Sequence, residues 1–160
     1  MKTIAVYYSL NGNSHLIAER IKTTLGADTL RLEPVKSMPK QGFMKMFQGG
    51  KQALFGDMPA LKPYRLDVDQ YELLILGGPV WAGSPAPALM NFLQQTKFSG
   101  KKVALFCCHG GGKGRTFSKL RDALSGNTIL GEIDFPNASK QDVQTLNAKL
   151  DAWLRDISTR

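Results

Sequence analysis

Apolar positions along this chain alternate repeatedly between two periods. Ile4-Ala5-Val6-Tyr7-Tyr8 is a short apolar run bounded by polar residues, which predicts a strand over about 3–9. Ile17, Ile21 and Leu25 then recur at helical spacing and predict a helix over about 13–24. Leu30 and Leu32 alternate with Thr29, Arg31 and Glu33, the pattern of an edge strand near 28–33 with one wet face. Leu73-Leu74-Ile75-Leu76 and Val103-Ala104-Leu105-Phe106-Cys107-Cys108 are continuously apolar, as strands covered on both faces are. Each leads through a glycine-bearing loop into a helical pattern. The first such helix spans about 86–95 with Leu89, Phe92 and Leu93 inward; the second carries Phe117, Leu120 and Leu124. A last strand near 128–134 precedes a helix over about 139–156, with Val143, Leu146, Leu150, Trp153 and Leu154 on one face.

One long connection, about 34–70, interrupts this rhythm. Phe43, Met46, Phe47 and Leu54 predict a helix around 43–55 within it, bent or broken at Gly49-Gly50. Connections of this length are often functional. Strand–helix alternation elsewhere predicts an α/β fold, a parallel sheet with helices on both faces and right-handed crossovers. Ligands of such sheets bind beyond the carboxyl ends of the strands. The loops after the first, third and fourth strands all lie at that end.

The loop after the first strand reads Ser9-Leu10-Asn11-Gly12-Asn13-Ser14. Hydroxyl and amide side chains alternate there with a glycine, just before a helix. Such a loop can wrap backbone N–H groups and hydroxyls around one phosphate at the positive end of the helix. Its bland counterpart is an ordinary polar helix cap. The loop after the third strand contains Pro79, Val80, Trp81, Ala82 and Gly83, followed by Ser84-Pro85-Ala86-Pro87. Trp81 is a large flat ring at the ligand end of the sheet; large aromatics in such places also fill gaps between helices. The loop after the fourth strand, His109-Gly110-Gly111-Gly112-Lys113-Gly114-Arg115, lets backbone amides approach a ligand closely.

These three loops together resemble those of the flavodoxin family. Ser9, Asn11, Gly12 and Ser14 stand at the places of that family's Thr/Ser-x-Thr-Gly-x-Thr phosphate loop, with Asn11 in place of a hydroxyl residue and Asn13 between. The second loop is similar to the flavin loop of a flavodoxin subgroup, in which an aromatic packs on the isoalloxazine ring. The resemblance runs through nearly the whole chain. It implies a flavodoxin-like three-layer sandwich with a five-stranded parallel sheet in the order 2-1-3-4-5 and one domain over 1–160. It also implies noncovalent FMN, with Ser9, Asn11, Gly12, Asn13 and Ser14 on the phosphate. Pro79, Val80, Trp81, Ala82 and Gly83 would then hold the ring, and His109, Gly110 and Gly111 would line its far side. The 34–70 connection would pass near the cofactor, where it can cover it.

Charge changes this picture in one respect. The chain carries a net +8, and from Lys97 to Arg121 it has seven basic residues and no acid. Flavodoxin electron carriers are acidic around the flavin. Basic surroundings favour an anionic reduced flavin and a less negative potential. They also suit an acidic redox partner protein or the phosphates of NAD(P)H. Helix-turn-helix, zinc and aromatic-studded basic motifs are missing, so no nucleic-acid partner is expected. No apolar run reaches the roughly 18 residues of a membrane span, so no membrane partner is expected. Met1-Lys2-Thr3 leads straight into a strand with no charged-then-apolar leader, and the expectation is a cytoplasmic protein.

Other chemistries fail on spacing. Gly78 to Ser84 has Walker-like glycines without the lysine, and Pro79 removes a cradle N–H. Arg115 stands where a dinucleotide fingerprint needs its third glycine. Six residues separate Cys108 from Arg115, one too many for the anion cradle of a small tyrosine phosphatase. No Cys/His cluster has zinc-ligand spacing, and neither His15 nor His109 is assigned as a catalytic acid. Cys107 and Cys108 are neighbours on one strand, point to opposite faces and do not form a structural disulfide. The leading expectation is an FMN-binding electron-transfer protein shuttling electrons between redox partners. The alternatives are an FMN-dependent NAD(P)H:quinone or nitro reductase, and a flavin-free interaction module of the same fold.

Overall fold

The computed structural model describes residues 1–36 and 58–160. Its elements in chain order are β1 (Thr3–Tyr7), α1 (Asn13–Leu25), β2 (Asp28–Arg31), β3 (Leu73–Trp81), β4 (Ser84–Pro85), α2 (Pro87–Gln95), β5 (Lys102–His109), α3 (Thr116–Ala123), β6 (Thr128–Pro136) and α4 (Val143–Ser158). The sheet runs β2-β1-β3-β5-β6, with every neighbouring pair parallel, and β4 pairs antiparallel with β3. The expected α/β architecture is therefore present, but the expected strand count is corrected. Six strands are formed among the described residues, in the order 2-1-3-5-6 with β4 off that path, in place of five ordered 2-1-3-4-5. The two orders coincide once β4 is left unnumbered.

The extra strand arises because β3 does not stop at Leu76. Gly77, Gly78 and Pro79 continue its ladder against Phe106, Cys107 and Cys108 of β5. Val80 and Trp81 then fold back onto Pro85 and Ser84 across a two-residue turn. Both turn residues have positive φ, 46° at Ala82 and 67° at Gly83, as a type I′ hairpin requires. Glycines in a strand interior read as a loop from sequence. At Gly77 the reason for glycine is packing: a Cβ there would come within 2.2 Å of Cε1 of the buried Phe106 ring.

Alternating strand residues divide between two buried layers. Ala5, Tyr7, Leu73, Ile75, Phe106 and Cys108 pack with Ile17 and Ile21 of α1 and with Leu146, Leu150, Leu154 and Ile157 of α4. Val6, Tyr8, Leu74, Leu76, Leu105 and Cys107 pack with Leu89, Phe92 and Leu93 of α2 and with Phe117, Leu120 and Leu124 near α3. Cys107 and Cys108 therefore sit on opposite faces as free, buried thiols. Burial pushes both thiols up to about 12, so neither is a thiolate nucleophile near neutral pH. Val143 departs from its expected place on the inward face of the last helix and is 67% exposed. α4 begins at Val143, where the side chain of Asp142 accepts the Thr145 N–H at 2.8 Å, so this residue lies in the overhanging first turn.

The helix expected around 43–55 lies outside the described residues. The described ends of that connection are clasped together: the Val35 N–H donates to the Ala60 carbonyl at 2.8 Å and the Lys62 N–H to the Glu33 carbonyl at 2.7 Å. The Asn91 side chain on α2 donates to the Pro59 carbonyl at 2.7 Å.

Candidate functional site at the carboxyl end of the sheet

β1 ends at Tyr7, and the chain turns through residues 8–12 into α1. Gly12, with φ 89°, is the last residue before the helix and supplies no side-chain cap. The Ser9 Oγ takes over that task by accepting the His15 N–H at 3.2 Å. Its acceptor side is thus engaged while its own proton remains to be donated. The amides of Asn13 and Ser14 find no acceptor among the described residues. Ser14 is 1% exposed, and its Oγ has no hydrogen-bond partner among the described residues. Buried polar atoms are nearly always paired. An unpaired hydroxyl beside two unpaired amides at a helix N-terminus makes a cradle suited to an anion. No acidic residue occupies the first turn of α1 to oppose an anion.

Two neighbours fix this cradle. The Asn13 Oδ1 accepts the Ser139 N–H at 2.8 Å, tying the loop to the turn after β6. Arg31, which is in register with Tyr7, donates through Nη2 to the Ser9 carbonyl at 3.2 Å. The Tyr7 hydroxyl and the His15 Nδ1 lie 2.7 Å apart. Burial raises the pKa of Tyr7 more than the nearby Arg31 lowers it, so this phenol is neutral at physiological pH.

The cradle opens into a cleft of about 380 Å³. Its walls come from the first loop (Ser9, Leu10, Asn11, Asn13, Ser14), from the end of β3 (Pro79, Val80, Trp81) and from the end of β5 (Cys108, His109, Gly110), with Asn137 after β6. None of these lining residues is a carboxylate or a fixed cation. Trp81 is only 8% exposed and meets Tyr8 edge-on, with centroids 5.6 Å apart and planes at 87°. It is both a core side chain and a wall of the cleft.

Of the thirteen residues singled out from sequence, nine meet in this cleft: Ser9, Asn11, Asn13, Ser14, Pro79, Val80, Trp81, His109 and Gly110. Gly12, Ala82, Gly83 and Gly111 do not line it. Gly12 shapes the turn, and Ala82-Gly83 forms the tip of the hairpin. That tip is fastened to the third loop, because the Arg115 N–H donates to the Gly83 carbonyl at 2.8 Å. Sequence reading missed Leu10, Cys108 and Asn137. Asn137 has a left-handed φ of 46°, and its N–H donates to the His109 carbonyl at 2.8 Å. A lone Asn after the last strand carries no distinctive signal. Arg31 was foreseeable, since it ends the strand beside β1.

The basic run is partly neutralised. Lys101 pairs with Asp69 at 3.1 Å, Lys113 with Asp134 at 3.4 Å and Arg121 with Glu132. Lys119 donates to the Ser84 Oγ at 2.8 Å. Arg115 has no side-chain partner among the described residues. Burial raises the pKa of Asp134, but the His109 hydrogen bond and the Lys113 charge outweigh it and hold this carboxyl below its ordinary range.

Polar cradle, apolar slot and aromatic wall fit a phosphate ester that carries a flat ring. On this sheet they define a flavodoxin-like FMN-binding protein. The chain belongs to the family described as NADPH-dependent FMN reductase, whose model matches residues 1–145. Solved structures agree on the fold. A flavoprotein of Lactobacillus acidophilus in complex with FMN is 24% identical, over 83% of this chain and 92% of that one, with a TM-score of 0.67. A Fusobacterium nucleatum flavodoxin bound to flavin mononucleotide is 18% identical, over 99% and 98% of the two chains, with a TM-score of 0.60. A candidate flavoprotein of Bacteroides eggerthii is 18% identical over 99% of each chain, with a TM-score of 0.79. No curated protein matches the chain by sequence. Among the described residues, no helix is long and apolar enough to cross a membrane.

Proposed function

We propose that this chain is an FMN-dependent oxidoreductase that takes reducing equivalents from NAD(P)H and passes them to a quinone or nitro acceptor. The observation that supports it most is the joining of an anion cradle and an apolar slot in one cleft without a charged lining residue. In this reading the Asn13 and Ser14 amides hold the FMN phosphate, helped by the Ser9 and Ser14 hydroxyls and the side chains of Asn11 and Asn13. Gly12 gives these amides their convergence. Pro79, Val80 and Trp81 bear on the isoalloxazine, and Ala82 and Gly83 hold them in place through the hairpin. His109, Gly110 and Gly111 close the far side. FMN supplies the acceptance and return of hydride; the chain binds, orients and shields it.

The family description favours this reading over a carrier that shuttles electrons between larger partners. The charges favour it too. Among the described residues Arg31 and Arg115 have no carboxylate partner, and a phosphate-bearing nicotinamide suits such an unneutralised rim. The FMN-loaded protein, alone with NADPH and a quinone, is expected to oxidise NADPH steadily, faster than free FMN at the same concentration. Turnover only after a separate reductase is added would make the protein a carrier and overturn the proposal.

A further inference from the structure

Behind the third loop lies a group of hydrogen bonds that binding of FMN does not require. The Gly112 N–H donates to the Nδ1 of His109 at 2.9 Å. A backbone amide can only donate, so Nδ1 is an unprotonated acceptor and the ring proton of neutral His109 sits on Nε2. Nε2 lies 3.0 Å from the Oδ2 of Asp134 on β6 and donates to it. Both ring nitrogens are therefore engaged, and a second proton on His109 can enter only at Nδ1. Once there, it faces the Gly112 proton, and that bond must break. The segment it would release contains Gly110, Gly111, Gly112 and Gly114, which gives it freedom to rearrange.

We propose that His109 is a redox-linked proton site, and that its protonation releases the glycine loop beside the flavin. The inference rests on the reading of the cleft as the FMN site, because His109 and Gly110 both line it. A flavin reduced by two electrons that has gained one proton carries a net negative charge, and a nearby negative charge favours the cationic form of His109. With FMN bound, NAD(P)H would supply the hydride, and one solvent proton would bind Nδ1 of His109. Reoxidation by the acceptor would return that proton to solvent and restore the Gly112 bond.

Three charged groups surround this ring. Asp134 accepts from Nε2 at 3.0 Å, and Lys113, on the same loop, and Lys149, on α4, reach the Oδ1 of Asp134 at 3.4 Å and its carbonyl at 2.6 Å with their Nζ atoms. His109 is here a positioning and proton-holding residue, not the acid that attacks a substrate.

Two measurements test this. In the FMN-free protein, the amide resonance of Gly112 should titrate with the same midpoint as the His109 ring. Asp134→Asn should move that shared midpoint to lower pH, because the amide keeps an acceptor for Nε2 but removes the charge. In the FMN-loaded protein, the two-electron potential should depend on pH more steeply in wild type than in His109→Gln. Between the two midpoints of His109, in oxidised and reduced protein, the difference should be about 30 mV per pH unit, one proton per two electrons. A Gly112 amide indifferent to His109 titration, or equal slopes in the two proteins, overturns the inference. Should His109→Gln fail to fold, the Gly112 titration and its Asp134→Asn shift decide alone. FMN that leaves the Ser14, Trp81 and Gly110 amides unmoved would instead refute the cleft assignment itself.

Discussion

Trp81→Ala is expected to destabilise the FMN-free protein by about 3–5 kcal/mol and to weaken FMN binding by a further ~1–3 kcal/mol. The first effect follows from burial. Trp81 is 8% exposed, packs edge-on against Tyr8 and belongs to the layer that contains Leu89 and Phe92. Truncation would open a large cavity at the end of β3, where the hairpin to β4 begins. The second effect follows from position, since the same ring walls the cleft. Denaturant unfolding of the FMN-free protein reads the first, and fluorescence titration with FMN under folding conditions reads the second. An unchanged unfolding free energy would remove Trp81 from the core, and an unchanged affinity would remove it from the flavin site.

Gly114→Ala should cost about 2–4 kcal/mol, an overpacking penalty joined to a left-handed backbone penalty. Gly114 has φ 52°, and a Cβ there would stand 2.4 Å from the Gly83 Cα and 2.7 Å from its carbonyl oxygen. Those are backbone atoms of the hairpin tip, with no rotamer to yield. The Arg115–Gly83 hydrogen bond beside this contact would be strained as well. The second and third loops would part, and FMN should bind more weakly, together with a lowered Tm. For the Tm alone, Gly111→Ala serves as the control: a Cβ there meets nothing within 4 Å, and φ is not in the left-handed range. Comparable losses of Tm from both substitutions would show that the loop contact is unimportant.

Sequence showed the layers clearly because burial writes itself into period. The runs at Leu73–Leu76 and Val103–Cys108 are apolar on both sides, and the structure covers both sides. Helix faces such as Leu146, Leu150 and Leu154 were equally legible. The extension of β3 was not. Gly77, Gly78 and Pro79 are poor strand formers, and only the partner strand β5 and the Phe106 ring make their placement intelligible. Val143 shows the opposite failure, an apolar residue at helical spacing that lies beyond the end of the core. In the candidate site, the loops themselves were readable from residue type. The hydrogen bonds that brace them were not, because Ser9 to His15, Asn13 to Ser139 and His109 to Asp134 depend on how separate elements meet. The charge count likewise overstated the unpaired basic character of this stretch, since carboxylates outside it in sequence pair with Lys101, Lys113 and Arg121.

The central claim is that the first loop grips the phosphate of FMN. Calorimetric titration of the FMN-free protein with FMN and with riboflavin tests it most directly, because the two ligands differ only in that phosphate. Wild type should prefer FMN strongly. Ser9→Ala and Ser14→Ala should each remove about 1.5–3 kcal/mol of FMN affinity while leaving riboflavin affinity nearly unchanged. Equal affinity of wild type for the two ligands, or equal losses for both in the variants, would contradict the account.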